Sequence, residues 1–323
     1  MAFSPVKNAR YIFAFLIAVI LIFTQGCGSE SDVAIVDFTK TISMEKPENR
    51  SPESPLLKVA VAAMISPKET SIYYRQVLDY IGGKLGREVQ LIQRKTYGEV
   101  NELFGKGQID LAFICSGPYA ATKEKYGFEA LATPLVRGRP FYQSYLIVNK
   151  DSHFQKLEDL RERVFAFTDP ESNTGRLVPI YWLSQMGERP ETFFGKTIYT
   201  YSHDNSILAV AKRLVDGAAI DGHIWEYYND KYPENTSKTR IIRKSTPYGN
   251  PPVVASSRLP IQQKIRIRQL LISMHLNPDG KKILTELMID RFVEPEEEWY
   301  DPIRQMNETL SLAEETPRAN AKP

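Results

Sequence analysis

Cysteine is nearly absent from this chain of 323 residues, which has only two, Cys27 and Cys115. Because Cys27 falls in an N-terminal export segment, described below, the folded body keeps Cys115 alone. A framework of internal disulfides is therefore excluded. A single thiol is unusual in an oxidising compartment, which makes Cys115 a residue to follow.

A surplus of charge of one sign is missing too. The chain has 41 lysines and arginines against 39 aspartates and glutamates, a formal net charge of +2. This balance gives no electrostatic basis for nucleic-acid binding, so no nucleic-acid partner is expected. An apolar fraction of 42% and this length are typical of a soluble globular protein with two ordinary domains or one large one.

Signatures of catalysis are lacking as well. Ser172, His203 and Asp204 supply the residue types of a hydrolase, but Ser172 does not lie in a Gly-x-Ser-x-Gly elbow. The His, Asp and Cys residues show no spacing typical of a metal site. We therefore expect no catalytic residues, no metal and no cofactor.

The first 27 residues have the pattern of a secretory signal. Lys7 and Arg10 precede an uncharged apolar run over residues 11–23, which is too short for a comfortable membrane span. The run leads to Gly26 and Cys27, which resemble a bacterial lipoprotein cleavage site. In such a site Cys27 is lipidated and becomes the first residue of the mature chain. The alternative is a free cysteine beside an ordinary signal.

Polar segments flank the folded body. Residues 28–56 are rich in Ser, Glu, Pro and Lys and are predicted to be a flexible tether, and residues 313–323 are predicted to be a disordered tail. A tether is useful if the folded body stands off a membrane. We therefore expect a periplasmic or cell-envelope protein that meets the membrane through its lipid anchor only.

Between these segments, strands alternate with helices, which predicts an α/β protein with parallel sheets covered on both faces. Apolar runs and helical periods locate the elements. Strands are predicted at residues 57–64, 88–93, 109–114, 141–149, 164–167, 197–201, 218–220 and 239–244, and helices at 72–85, 97–104, 117–125, 175–186, 206–215, 224–228, 261–276 and 278–287.

The alternation stops after the fourth predicted strand and then restarts, which divides the body into two lobes. The last helices leave no room for a third lobe and are expected to return to the first. The first lobe then comprises residues 57–147 and 250–312 and the second 148–249, with crossings near 146–149 and 246–253. Ligands of open α/β sheets bind beyond the carboxyl ends of the strands, so we expect the ligand cleft between the lobes.

The segment 164–179 predicts an anion site. A buried strand leads into Ser172, Asn173, Thr174 and Gly175, where a helix begins. The first N–H groups of a helix are unpaired and carry partial positive charge, and the three polar side chains add donors. Gly175 allows close approach to the backbone. The alternative is an ordinary N-cap, for which Ser, Asn and Thr are the usual residues.

The order and spacing of five motifs resemble the periplasmic phosphate/phosphite/phosphonate-binding proteins of ABC importers. The motifs lie within residues 57–256 and are 107–113 (GQIDLAF), 145–152 (YLIVNKDS), 169–179 (DPESNTGRLVP), 201–204 (YSHD) and 214–217 (LVDG). The resemblance implies the type II periplasmic binding fold, in which each lobe holds a mixed, mainly parallel sheet flanked by helices. It also implies a small tetrahedral oxyanion as ligand and an ABC permease as partner. We expect a monomer.

In that family a Ser-Thr-Ser loop, two tyrosines and a histidine hold the phosphonate oxygens. Such neutral donors bind an oxyanion without a counter-charge so strong that release is slow. The alternatives are a core aromatic for each tyrosine and a helix cap for the histidine. The resemblance places the loop at Ser172, Asn173 and Thr174, the tyrosines at Tyr97 and Tyr142, and the histidine at His203.

The chain departs from the family where the ligand's substituent is recognised. Binders of aminoalkylphosphonates carry two carboxylates that pair with the ligand's ammonium group, and the matching positions here are His223 and Asn250. Because neither is an anion, an ammonium group would be left unpaired in a closed cleft. Ligands of the aminoethylphosphonate kind are therefore disfavoured, with Asp221 as an alternative acidic partner. Asp221 and Asn250 are both assigned to the ligand site.

Cys115 is a second departure. With Ser116 it follows a predicted strand on the cleft side, so both residues are assigned to the ligand site. The ordinary interpretation of Cys115 is a small buried residue. The functional one is a thiol that meets the ligand, because sensor proteins similar to this family bind arsenite through a cleft cysteine and signal to a histidine kinase. An arsenite sensor is therefore the alternative to an importer component.

Overall fold

The computed structural model describes residues 56–315. The predicted export signal with Cys27, the predicted tether up to residue 55 and residues 316–323 of the predicted tail lie outside the described residues. Within the described range, none of the helices has the length and apolar character that a membrane span requires.

Strands and helices alternate over most of the described chain. The strands are β1 (Leu57–Val61), β2 (Val89–Gln93), β3 (Leu111–Phe113), β4 (Phe128–Leu135), β5 (Phe141–Tyr142), β6 (Ser144–Asn149), β7 (Val164–Phe167), β8 (Lys196–Tyr199), β9 (Gly217–Asp221), β10 (Thr239–Lys244), β11 (Tyr248–Gly249), β12 (Val253–Ser256) and β13 (Arg291–Val293). The α-helices are α1 (Pro67–Leu85), α2 (Tyr97–Gly105), α3 (Ser116–Tyr126), α4 (Val178–Ser184), α5 (Pro190–Phe193), α6 (His203–Ala211), α7 (Gly222–Lys231), α8 (Pro233–Thr236), α9 (Ile261–Ser273), α10 (Pro278–Glu286) and α11 (Asp301–Glu315).

Two mixed sheets form the two lobes. The first has the strand order β13-β4-β12-β3-β1-β2, in which β1 is parallel to β2 and β3 while β12 is antiparallel to β3 and β4. The second has the order β10-β6-β9-β7-β8, in which β7 is parallel to β8 and β9 while β6 is antiparallel to β9 and β10. The two-lobed α/β architecture expected from the sequence is confirmed.

The chain crosses between the lobes at β5 and β11, which pair with each other antiparallel. The first crossing comes earlier than predicted. Residues 144–147, which the sequence analysis assigned to the first lobe, belong to β6 and pair with β9 in the second sheet. The predicted boundary was wrong because the apolar pattern runs on from Phe141 to Asn149, while the pairing partner of the strand changes at Gln143.

The period of two along the strands divides the core into layers. On β1, Leu57, Val59 and Val61 face one side and pack with α1 and α9, while Ala60 faces the other. The layer on the side of Ala60 continues through the crossing residues Tyr142 and Tyr248 into the second lobe. The two lobes therefore share one apolar layer where the chain crosses.

The end of the chain differs from the sequence prediction. Strands β4, β11, β12 and β13 were not predicted, and α11 extends to Glu315, three residues into the segment predicted as a disordered tail. Helix α11 packs against α3 of the first lobe and α4 of the second. Its buried Ile303 and Met306 explain why this amphipathic segment folds.

Candidate functional site

Several helices begin where the two sheets face each other. Helix α3 starts three residues after β3, α6 starts four residues after β8, and α7 follows β9 without a gap. The first N–H groups of each helix therefore point from the carboxyl ends of the strands toward the other lobe. Side chains from the starts of α2, α3 and α6, from the turn over Asn173–Leu177 before α4 and from the crossing strand β5 form what we call the donor cluster: Tyr97, Ser116, Tyr142, Asn173, Thr174, Ser202 and His203, all buried.

Ser172 precedes a wide helical turn over Asn173–Leu177 that leads into α4. Its Oγ accepts a hydrogen bond from the N–H of Gly175 at 3.0 Å, so Ser172 is an N-cap, as the alternative interpretation had it. The turn is wide because the N–H of Leu177 bonds back to the carbonyl of Ser172, five residues earlier. A Cβ at Gly175 would lie 2.3 Å from Oγ1 of Thr168. The missing side chain of Gly175 therefore leaves room for Thr168, a residue of the same lobe.

Asn173 and Thr174 are held by bonds to the crossing strand β5 and to β6 of their own lobe. Nδ2 of Asn173 donates to Oη of Tyr142 at 3.1 Å, and the carbonyl of Thr174 accepts from Oγ of Ser144 at 2.7 Å. Among the described residues, Oγ1 of Thr174 and Oδ1 of Asn173 are buried and have no hydrogen-bond partner. The helical turn therefore holds both residues rigidly while it leaves one polar atom of each available for a ligand.

Tyr142 links the turn to the first lobe. Its Oη also bonds to Oγ of Ser116 and lies 4.0 Å from Sγ of Cys115. Burial raises the pKa of the Cys115 thiol to about 11, although the backbone N–H of Asn173 bonds to the sulfur. Cys115 is therefore a neutral thiol inside the cluster, as well as a buried residue of the core.

Tyr97 begins α2 and is buried, yet within the described chain its Oη has no hydrogen-bond partner. Burial raises its pKa well above the ordinary value, and Cys115, Asp169, Asp221 and Tyr142 act in the same direction. The phenol therefore stays protonated and can donate one hydrogen bond.

His203 is a neutral hydrogen-bond donor. Its Nδ1 accepts the N–H of Asp221 at 3.0 Å and lies 3.2 Å from Oγ1 of Thr168. Burial lowers the pKa of His203 to about 3. The single ring proton is therefore on Nε2. Since the acceptor nitrogen already holds the backbone of Asp221, His203 is badly placed to serve Ser172 as a general base.

Asp221, His223 and Asn250 are engaged with protein groups. Oδ1 of Asp221 caps α7 by accepting the N–H groups of His223 at 2.8 Å and Ile224 at 3.3 Å, and burial raises the pKa of Asp221. Oδ1 of Asn250 lies 3.2 Å from Nε2 of His223, and Nδ2 of Asn250 donates to the carbonyl of Pro134 at 2.8 Å. All three residues therefore have partners within the protein. Asp221 stabilises the start of α7, and Asn250 joins His223 of the second lobe to Pro134 of the first.

The two lobes touch through two carboxylates to which the sequence analysis gave no role in the contact between lobes. Oδ2 of Asp169 accepts the N–H of Tyr97 at 3.1 Å, and Oδ1 of Asp204 accepts the N–H of Ser66 at 3.0 Å. Each bond joins an acidic residue of the second lobe to a helix start of the first, where the helix dipole favours a negative charge. Asp169 lies two residues after β7 and Asp204 lies in the first turn of α6. These positions at the cleft end of the elements could have indicated a contact with the other lobe.

Ser202 is another residue that the sequence analysis missed. It precedes α6 and is buried, and in the described part of the chain its Oγ has no hydrogen-bond partner. Tyr201 before it has a φ of 61°, an uncommon value for a residue with a side chain, and its ring lies 4.1 Å from Nζ of Lys95 in the other lobe. This turn aims Ser202 and His203 between the lobes.

The fold and the cluster define a two-lobed solute-binding protein, in which neutral donors from both lobes converge on one buried point. No group of three or more His, Cys, Asp or Glu residues within 56–315 is arranged to hold a metal ion. A sequence model of the family described as "ABC transporter, phosphonate, periplasmic substrate-binding protein" matches residues 59–300. The chain belongs to this family, whose members are periplasmic and work with an ABC transporter.

Individual relatives agree with this assignment. The chain is 24% identical over 282 residues to the phosphonates-binding periplasmic protein of Escherichia coli K12, covering 85% of this chain and 83% of that one. It is 28% identical over 182 residues to a probable ABC transporter phosphite-binding protein, PhnD1, of Prochlorococcus marinus, covering 53% of this chain and 61% of that one.

A solved structure shares the fold. The binding-protein component of an ABC phosphonate transporter from Pseudomonas aeruginosa superposes with a TM-score of 0.77 at 24% identity, over 83% of this chain and 91% of that one. The type II periplasmic binding fold predicted from the sequence is confirmed.

Proposed function

We propose that this chain captures a small tetrahedral oxyanion of the phosphate, phosphite and phosphonate class and delivers it to an ABC permease. One observation carries the proposal. The hydroxyl groups of Tyr97, Thr174 and Ser202 are buried and, among the described residues, have no hydrogen-bond partner. An unsatisfied buried hydroxyl costs about 1–3 kcal/mol, and an oxyanion held between the lobes would satisfy all three.

The chemistry of the donor cluster supports an oxyanion that is bound and then released. Hydroxyl groups, helix N-termini and the Nε2–H of a neutral His203 all donate hydrogen bonds, and none of them carries a full positive charge. The ligand class is supported by relatives named for phosphonates, phosphite and phosphate import. Its members share three oxygens around phosphorus and differ in the fourth substituent, which is an oxygen, a hydrogen or a carbon group.

Aminoalkylphosphonates remain disfavoured ligands. His223 and Asn250, at the positions of the family's two carboxylates, bond to each other. Asp221, the alternative partner for an ammonium group, uses Oδ1 to cap α7. An ammonium group brought into this buried place would lose its hydration with little in return.

Anchoring is part of the same proposal. A lipidated Cys27 followed by a polar tether would keep the binding protein near its permease in the membrane, and the protein would act as a monomer. The support is the sequence pattern of residues 7–27 alone, because this segment lies outside the described residues.

The second candidate function is arsenite sensing. The observation that favours it is the position of Cys115 within the donor cluster, beside Tyr142 and Asn173. Arsenous acid is neutral and condenses with a thiol: one As–S bond forms, one As–OH bond breaks, and water leaves with the thiol proton. Because burial keeps Cys115 a neutral thiol, the same residue is also compatible with a bound oxyanion, which it would not repel.

The test of the main proposal is the variant Thr174→Val, which removes the hydroxyl and keeps the shape of the side chain. A hydrogen bond to a charged group contributes about 1.5–3 kcal/mol, so the Kd for the preferred ligand should rise roughly ten- to a hundredfold. Isothermal titration with phosphate, phosphite and methylphosphonate measures the change.

The matched control is Thr236→Val, at an equally buried threonine of the second lobe whose hydroxyl bonds to the carbonyl of Pro233. This control should bind like the wild type. If none of the three oxyanions binds the wild type, or if Thr174→Val binds as tightly as Thr236→Val, the proposed site is wrong.

A further inference from the structure

An apolar cavity of about 140 Å³ lies next to the donor cluster. Four of its lining residues have ionisable or amide side chains, Asp221, His223, Glu226 and Asn250, and three are tyrosines, Tyr74, Tyr227 and Tyr228. The remainder are aliphatic, phenylalanine or proline side chains, and Tyr74, Phe113 and Phe292 come from the first lobe. Tyr74 and Phe113 meet edge to face, with ring centroids 5.0 Å apart, which gives the cavity a rigid aromatic wall.

The cavity and the donor cluster share a wall. Met64 lines the cavity, and its carbonyl accepts the N–H of His203 at 3.0 Å. Asp221 also lines it, and its N–H bonds to Nδ1 of His203. The ring of His223 faces the cavity on one side and lies 6.3 Å, centroid to centroid, from the ring of Tyr142 on the other. A ligand held by the cluster is thus one side chain away from the cavity.

The four ionisable or amide side chains of the lining already have partners. Asp221 caps α7, and His223 bonds to Asn250. Glu226 pairs with Arg137 at 2.7 Å and accepts a hydrogen bond from Tyr145. An anionic substituent would be repelled by Asp221 and Glu226, and an ammonium group would compete for carboxylates that already cap α7 and pair with Arg137. An uncharged hydrocarbon group would lose only its contact with water.

We infer that this cavity receives the uncharged organic substituent of the ligand, and that the preferred ligands are phosphonates with a short alkyl or an aryl group. The volume matches this class, because a dry protein cavity of about 150 Å³ holds a benzene molecule. Residues of both lobes line the cavity, so the substituent would also favour the closed arrangement. The inference rests on the proposed function, since the cluster must first hold the phosphonate group.

The first experiment is a titration of the wild-type protein with phosphate, methylphosphonate, n-butylphosphonate, phenylphosphonate and 2-aminoethylphosphonate. Burial of one methylene group is worth about a fourfold change in affinity. Butyl- and phenylphosphonate should therefore bind at least about tenfold more tightly than methylphosphonate, and 2-aminoethylphosphonate more weakly than butylphosphonate.

The second experiment fills the cavity from two separate elements, with Val77→Phe on α1 and Leu287→Phe after α10. Each variant that folds should lose the advantage of the butyl and phenyl groups and bind methylphosphonate within about threefold of the wild type. The control is Leu276→Phe, at an exposed leucine outside the cavity, which should leave the whole series unchanged.

The outcomes separate this inference from the proposed function. If phosphate and methylphosphonate bind but butyl- and phenylphosphonate bind no more tightly, the inference is overturned and the proposed function stands. Tighter binding of 2-aminoethylphosphonate than of butylphosphonate overturns it too. If no ligand of the series binds, the proposed function fails, and the inference fails with it.

Discussion

The neutral state of His203 predicts a specific dependence of stability on pH. An exposed histidine in the unfolded chain has a pKa of about 6.5, whereas burial lowers the pKa of His203 in the folded protein to about 3. Between these two values the unfolded chain binds a proton that the folded protein does not. The free energy of unfolding therefore falls as the pH falls from 6.5 toward 3.

The magnitude follows from the two pKa values. At pH 7 the protonation of the unfolded chain costs about 0.2 kcal/mol of stability, and at pH 5 it costs about 2 kcal/mol, since RT ln(1 + 10^1.5) has that value. A folded pKa of 2 or 4 would change the result at pH 5 little, because His203 is neutral there in either case. The contribution of His203 between pH 7 and pH 5 is thus about 2 kcal/mol.

The variant His203→Asn isolates this contribution. Oδ1 of asparagine can take the place of Nδ1 and accept the N–H of Asp221, while the side chain no longer titrates and lacks the Nε2–H donor. Burial raises the pKa of Asp169, Glu171 and Asp221, which makes stability rise as the pH falls, so only the difference between wild type and variant reports on His203.

Urea unfolding of the ligand-free proteins at pH 5, 6 and 7, followed by tryptophan fluorescence and circular dichroism, measures that difference. The stability of wild type minus that of His203→Asn should fall by about 2 kcal/mol from pH 7 to pH 5. The same variant should bind the oxyanion about ten- to a hundredfold more weakly. Parallel pH profiles of the two proteins, or a titration of the His203 imidazole itself near pH 6.5 in the folded wild type, would refute the neutral donor.

Two further predictions concern the contact of the lobes and the thiol. A Cβ at Gly117 would lie 2.6 Å from the carbonyl oxygen of Glu171 and 3.0 Å from the N of Asn173, both backbone atoms of the other lobe, so Gly117→Ala should fold but close incompletely. Its ligand affinity should drop more than about tenfold and its radius of gyration should not shrink on ligand addition; closure like that of the wild type in X-ray scattering contradicts this. Cys115→Ala should bind phosphite or methylphosphonate within about threefold of the wild type and lose any arsenite binding. If only arsenite binds the wild type, the sensor function is favoured instead.

The sequence predicted those parts of the fold that depend on local patterns. Strands β1, β7, β9 and β10 and the helices that follow the first three are located by short apolar runs and helical periods. Strand β4 was missed because it contains Pro134 and polar residues, and β13 because it has three residues at a sheet edge. These two strands form because they pair with segments that are far away in the sequence, which a local pattern does not show.

The candidate site was predictable only as a set of strand ends. Because a strand end in this fold lies at the cleft, Cys115, Thr174, His203 and Asp221 could be predicted to lie near one another, while their role in ligand binding stays a prediction. Their hydrogen-bond partners were not predictable. That Asp221 caps α7 and holds His203 depends on the exact relative position of two helices of the second lobe.

In the proposed function, the distribution of charge between the lobes would allow binding and release to coexist. Asp169 and Asp204 of the second lobe accept N–H groups at the starts of α2 and α1 in the first lobe. These two bonds would favour the closed arrangement without a ligand, and they engage both carboxylates with N–H groups of helix starts. The cluster itself keeps neutral donors, so a bound oxyanion gains hydrogen bonds but no full counter-charge. A permease that separates the lobes would break the two carboxylate bonds and the ligand's bonds to one lobe at the same step. The carboxylates therefore lower the cost of closing, while the neutral cluster limits the cost of opening.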